Sequence, residues 1–195
     1  MKIKKNSLIP QIIVIAFIVF VVITLSLFVL FCCFAFIPLK VDDVNKYLET
    51  DGLKSPLAIF PASIDGTGEV LEYHYYDYRL KGGSEIILSM QYDNDSFIEE
   101  VNRLEHVECD VFGKINSVVK DADKKLFNYC TYIAEYRPMF CQFEYACVDY
   151  EKQTIHYIRL DHISLEHLSI EQSLLPKFYF DDSEIYSEYE FCLYA

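Results

Sequence analysis

Residues 126–161 read LFNYCTYIAEYRPMFCQFEYACVDYEKQTIHYIRLD. Within them Leu126–Tyr136, Cys141–Val148 and Thr154–Asp161 each repeat apolar or aromatic side chains at a period of two, the spacing that sends alternate residues to opposite faces of a strand. Arg137-Pro138-Met139-Phe140 and Asp149-Tyr150-Glu151-Lys152-Gln153 separate the runs, and connections this short join antiparallel neighbours. The stretch therefore predicts a three-stranded meander.

Upstream, Glu69–Tyr78 is dense in aromatic and β-branched residues and is followed by Lys81-Gly82-Gly83-Ser84. Ile86, Leu88, Met90 and Tyr92 then alternate with Ile87, Ser89 and Gln91, which predicts two strands joined by a glycine turn. Ser96-Phe97-Ile98-Glu99 has the form of a capping box, and Phe97, Ile98, Val101 and Leu104 continue at helical spacing. Residues Val107–Lys125 mix charge, Gly113 and the short apolar pair Val118-Val119, and read as loop. Short helices are also expected over Val41–Glu49 and over Ser164–Leu175, the second ended by Pro176. The fold class is α+β: an N-terminal transmembrane helix, then a small antiparallel sheet in the order β-β-α-β-β-β covered by a helix.

The transmembrane reading rests on Ile12–Leu39, which holds no charge and whose strongest polar groups are the hydroxyls of Thr24 and Ser26. A helix lets each hydroxyl bond its own backbone, so neither resists burial in lipid. At 1.5 Å per residue the run extends about 40 Å, longer than the roughly 30 Å hydrocarbon core. A cleaved signal has an apolar region of about 7–15 residues ending in small residues. This run ends in Cys33-Phe34-Ala35-Phe36-Ile37-Pro38, which favours an uncleaved anchor. Lys2, Lys4 and Lys5 precede it, whereas Lys40 is followed at once by Asp42 and Asp43, so the positive-inside rule keeps the N-terminus cytoplasmic. The expected organisation is a cytoplasmic N-terminus (1–7), a transmembrane helix (8–39), a juxtamembrane spacer (40–61), an extracytoplasmic α+β domain (62–180) and an acidic C-terminal tail (181–195), irregular or partly docked.

Beyond position 40 lie all 30 acidic and 13 of the 17 basic residues, a formal charge of −17. Such a surface repels nucleic acid, and any charged partner it has is basic. Residues 8–39 supply the contact with a lipid bilayer. Ile59-Phe60-Pro61, the run Glu69-Val70-Leu71-Glu72-Tyr73-His74-Tyr75-Tyr76-Asp77-Tyr78 and the hairpin from Phe143 to Ile158 give the chain a resemblance. It resembles a loose group of uncharacterised small single-pass membrane proteins and lipoproteins of clostridia-like bacteria. It departs from that pattern at Ile64-Asp65, where a second proline is expected after the Phe-Pro. The resemblance implies no activity, cofactor or site residue.

Five cysteines, Cys109, Cys130, Cys141, Cys147 and Cys192, follow the apolar run. A tight turn that sets Tyr136 opposite Cys141 also sets Cys130 opposite Cys147, as a cross-strand disulfide or as two adjacent buried thiols. One residue of slip destroys that match. No C-x-x-C pair occurs, so zinc-ribbon and thioredoxin chemistry are excluded. His162, Glu166 and His167 fit neither H-E-x-x-H nor H-x-x-E-H. Asp93-Asn94-Asp95 opens like a calcium loop but continues with Phe97 and Leu104 where ligands belong, so a turn and helix cap explain it better. Gly66-Thr67-Gly68 and Gly82-Gly83 are turns without the residues of a phosphate loop. The sixteen tyrosines serve either a binding face or a core with hydroxyls at its rim. No residue stands out as catalytic, cofactor-binding or metal-ligating. The expectation is a membrane-anchored extracytoplasmic interaction or accessory domain without catalytic activity. The alternatives are an envelope enzyme using carboxylates or His162 and His167, and a thiol redox protein.

Overall fold

The computed structural model describes residues 8–47, 57–64, 66, 68–78, 83–111, 114–137, 141–162, 168–177 and 191–192. The chain divides into two compact units, Met1–Pro38 and Leu39–Ala195. The first is built on α1 (Leu8–Phe36), a single helix long and apolar enough to cross a membrane. Its side chains from Ile12 to Phe36 are mostly exposed, as expected of a helix with no apolar stripe but apolar residues all round. Thr24 Oγ1 donates to the Phe20 carbonyl at 2.9 Å, so the hydroxyl is satisfied within the helix.

The second unit contains β1 (Leu39–Val41), β2 (Glu69–Asp77), β3 (Ser84–Gln91), α2 (Asn94–Glu105), β4 (Glu108–Val111), β5 (Lys114–Ser117), β6 (Val119–Asp121), β7 (Cys130–Arg137), β8 (Gln142–Asp149), β9 (Thr154–Asp161) and β10 (Phe191–Cys192). Eight strands form one antiparallel sheet in the order β1-β2-β3-β9-β8-β7-β10, with β6 also on β7. β4 and β5 make a separate hairpin. The predicted β-β-α-β-β-β core is therefore present, but the sheet is larger. β4, β5 and β6 occupy the region read as loop, β1 lies in the region read as spacer, and β10 lies in the tail. Residues 40–61 are not a mere spacer, since Ile59 and Phe60 are buried in the core. The helices expected over Val41–Glu49 and Ser164–Leu175 reduce, within the described residues, to 3-10 turns at Val44–Lys46 and Gln172–Leu174.

The sheet is buried on both faces, so β8 shows six consecutive buried residues, Phe143–Val148. One face, under α2, packs Tyr75, Leu88, Met90, Tyr132 and Tyr157 against Phe97 and Leu104 of the helix and against Ile59 and Phe60. The other packs Ile87, Phe143, Tyr145, Ile158 and Leu160 against Phe127, Ile170, Leu174 and Leu175, which come from chain without strand or α-helix. Each such side chain contributes about 1.5–3 kcal/mol on full burial. Among the described residues eight of twelve tyrosines are buried, which assigns those eight to the core.

α2 begins one turn earlier than a Ser96–Glu99 capping box would place it. Asp93 is the N-cap: its Oδ1 accepts from the backbone N–H of Asp95 at 3.0 Å and of Ser96 at 2.9 Å, and Ser96 Oγ donates to its Oδ2 at 3.0 Å. A carboxylate outcompetes a hydroxyl there because the helix N-terminus favours negative charge. The same bonds hold the Asp93 carboxyl below the usual carboxylate range. Asp93→Ala is expected to lower the thermal midpoint more than Ser96→Ala. Since the Asp93 carboxyl is depressed in the folded chain, its contribution is full above the ordinary carboxylate range and is lost as pH falls through the depressed value. Thermal melts of both variants against pH check this.

Candidate functional site

The register gathers polar groups at one end of the sheet. Asp77, Ser84, Asp161, Gln142 and Arg137 lie side by side across β2, β3, β9, β8 and β7. Two residues further in, on the same face, the row runs Tyr75, Ile86, Arg159, Glu144, Glu135. A bulge at Ala134 makes this second row possible. Ile133 pairs with Tyr145 and Glu135 with Glu144, so one extra residue re-aims Glu135 onto the face under α2.

Arg159 is 4% exposed, and its Nη1 lies 2.7 Å from Glu144 Oε2 and 3.1 Å from Glu135 Oε2. Arg137 Nε approaches Glu135 Oε1 at 3.6 Å. The other Glu144 oxygen accepts the backbone N–H groups of Ala58 and Ile59, the latter at 2.8 Å. Arg103 of α2 donates to the Ile59 carbonyl at 2.7 Å, and Tyr47 donates to the Pro61 carbonyl at 2.6 Å. The segment 57–61 is thus fastened to the sheet through its backbone. Burial pushes the Glu135 carboxyl up, helped by Glu144 and Asp161 and opposed by Arg159 and Arg137.

The opposite face carries a second cluster. Glu85 is fully buried and accepts the N–H of Ser169 at 3.2–3.3 Å, the Ser169 hydroxyl, and the Tyr78 hydroxyl at 3.4 Å. His74 Nε2 lies 3.1 Å from Ser169 Oγ and 3.5 Å from Glu85, and its Nδ1 lies 3.6 Å from Glu72. Ser169, His74 and Glu72 stand in the order of a nucleophile, its base and an orienting acid. The electrostatics oppose that chemistry. Glu85 takes both the N–H and the O–H of Ser169, which puts a carboxylate where an attacked carbonyl needs donors for its growing negative charge. The arrangement fastens residues 168–177 to the sheet. Asp121, also buried, does the same for the chain before β7, accepting the N–H groups of Lys125, Leu126 and Phe127 at 2.9–3.1 Å.

Of the residues singled out from sequence, Cys130 and Cys147 are both buried and unpaired, and they are not opposite one another. The register slips by one: Cys130 faces Val148 and Cys147 faces Thr131, so the two thiols point to opposite faces of the sheet. The physical reason is a shifted closing pair and a bulge: Arg137 and Gln142 close the two strands in place of Tyr136 and Cys141, and the extra residue at Ala134 takes back half of the resulting offset. Burial pushes the Cys147 thiol up to about 12, which removes the thiolate that redox chemistry requires. His162 is exposed, with Nε2 at 3.1 Å from Gln142 Nε2 and 3.5 Å from Asp161. His167 and Glu166 lie outside the described residues. Among the described residues no group of three or more His, Cys, Asp or Glu side chains is placed to hold a metal ion. Gly83 is a turn residue with φ +89°, where a Cβ would come within 2.8 Å of the Asp161 and His162 carbonyls. Glu85, Glu135, Glu144 and Arg159 are not among the residues singled out from sequence. Their signal was a charge at an apolar position of a strand, as in Phe143-Glu144-Tyr145 and Ile158-Arg159-Leu160.

Arg159→Met is expected to cost about 3–5 kcal/mol, because it leaves two buried carboxylates without their shared counter-charge. The native chain holds the Glu135 proton more tightly than the unfolded chain. Between the ordinary carboxylate range and the raised folded value it therefore binds more protons, and this group's contribution to stability falls as pH rises through that window. Glu135→Gln is expected to flatten that slope in urea midpoints measured against pH. Native-state thiol labelling is expected to leave Cys147 unmodified until the second unit unfolds.

Comparison with protein-family models, with curated proteins and with solved structures gave no match.

Proposed function

We propose that this chain is a single-pass membrane-tethered binding module, with its N-terminus cytoplasmic and Leu39–Ala195 outside, that holds a basic protein partner by its acidic surface and carries out no catalysis. The anchor is α1, and the lysines at positions 2, 4 and 5 support the orientation.

One observation carries the reading: the reactive groups that the sheet brings together are turned inward and committed to holding the chain, while the acids left outside outnumber their counter-charges. Glu85, Glu144 and Asp121 are bonded to backbone N–H groups of the segments that cover the sheet. Among the described residues of the second unit, eleven exposed carboxylates stand against six exposed lysines. Three of those lysines, Lys120, Lys125 and Lys152, are already paired, with Glu105, Asp123 and the half-buried Asp149. The outward field is therefore negative, and it favours a cationic partner in rate and register more than in affinity.

Affinity capture from native membranes tests this, using the full chain and a control of residues 1–40 alone. A protein retained by the full chain, absent from the control and released at high salt supports the proposal. Identical captures from the two, or a retained partner that is acidic, would sink it.

A further inference from the structure

We propose that His74 and Glu85 form a proton-controlled latch on the start of the 168–177 segment, tight when the imidazole is charged and loosened when it is neutral. The segment is held differently at its two ends. Its far end is tied by groups that do not change charge near neutral pH: Lys177 N–H donates to the Leu126 carbonyl at 2.9 Å, Asn128 donates to the Ser173 carbonyl at 3.2 Å, and Leu174 and Leu175 are buried. Its near end depends on Ser169, whose N–H and O–H both go to Glu85, and whose Oγ also meets His74 Nε2.

The charges around the imidazole come from three strands. On β2, Glu72 lies 3.6 Å from Nδ1, and Tyr76 stacks on the ring with centroids 4.5 Å apart. On β3, Glu85 lies 3.5 Å from Nε2, with the Tyr78 hydroxyl on the same carboxylate. Beyond Tyr76 stand Lys40 of β1, 4.4 Å from the Tyr76 ring, and Asp42, bonded to its hydroxyl. Of these side-chain types imidazole is the one suited to exchanging a proton near neutral pH. When it is charged, the buried Glu85 has a counter-charge beside it, and both partners are satisfied around Ser169. When it is neutral, a fully buried carboxylate is left with neutral donors only, which is the costlier state. Opening at Ser169, which is itself exposed, exchanges its two neutral donors for water around the carboxylate, so that cost is relieved at the near end of the segment.

Hydrogen exchange on the full chain in detergent tests the latch, at about pH 5.5 and about pH 8 with intrinsic rates corrected. The amides of Ser169 and Ile170 are expected to lose about tenfold in protection at the higher pH, equivalent to one pH unit of coupling, while those of β9 stay unchanged. His74→Gln removes the proton site and is expected to abolish the difference. Glu85→Gln removes the charge that the proton answers and is expected to do the same, which keeps the test intact if either variant alone folds poorly. Equal protection at the two pH values in the native chain, a parallel loss in β9, or a difference that survives both substitutions would overturn the proposal.

Discussion

A backbone N–H in chain without regular structure must find an acceptor if it is buried, and the second unit meets that demand with carboxylates set into the sheet. Among the described residues of the second unit only one α-helix is available to cover a sheet that is buried on both faces. The rest of the cover is irregular chain: 57–61 on the helix side, 168–177 and the residues before β7 on the other. Each arrives with donors that no helix or ladder satisfies. Glu144 answers its segment with two N–H contacts, Asp121 with three, and Glu85 with the N–H and the hydroxyl of Ser169. A neutral side chain offers one acceptor oxygen and a weaker bond, whereas an ionised carboxylate offers two and bonds about twice as strongly.

This arrangement accounts for part of the acidity of the chain without any partner. Buried carboxylates are costly alone, and the fold tempers the cost unevenly. Glu144 has Arg159 on one oxygen and two backbone donors on the other. Glu135 shares the same guanidinium and has only the more distant Arg137 in addition, and burial pushes its carboxyl up. Removing the shared arginine therefore exposes both acids at once, while removing either acid alone still leaves a balanced pair. Charge outside the core is a separate matter, carried by residues such as Glu72, Asp95 and Glu151.

The central strands and α2 were legible because their signals are local. β2, β3, β7, β8 and β9 each alternate or run apolar over eight or nine residues, and α2 shows its period from Phe97 to Leu104. β1, β6 and β10 have two or three residues each and are strands only because a longer neighbour pairs with them, so their own residues hold no periodicity to read. The predicted thiol pair failed on where the two strands close and on the bulge at Ala134, since a register shift of one residue moves a side chain to the other face. The fastening groups were hidden for another reason. Glu144 and Glu85 become meaningful only beside Ala58 and Ser169, some 84–86 positions away, and nothing near them in the chain announces the contact.

The place of β9 in the sheet has a consequence for how the chain must come together. β3 is hydrogen-bonded to β9 and not to β7 or β8, so Gln91 meets Thr154 only after all the intervening chain has been made. A nascent chain emerging in order presents the β2–β3 hairpin first, with one long edge unpaired and apolar side chains on both faces. That hairpin has to wait for the last strand of the meander. Long-range closure of this kind is slow relative to local pairing, and an unpaired edge is open to wrong partners while it lasts. The meander can form by itself once synthesised, through its two short turns. The vulnerable interval in the life of this protein therefore falls between the completion of β3 and the arrival of β9, when α2 has only the β2–β3 hairpin and the segment before it to lie against.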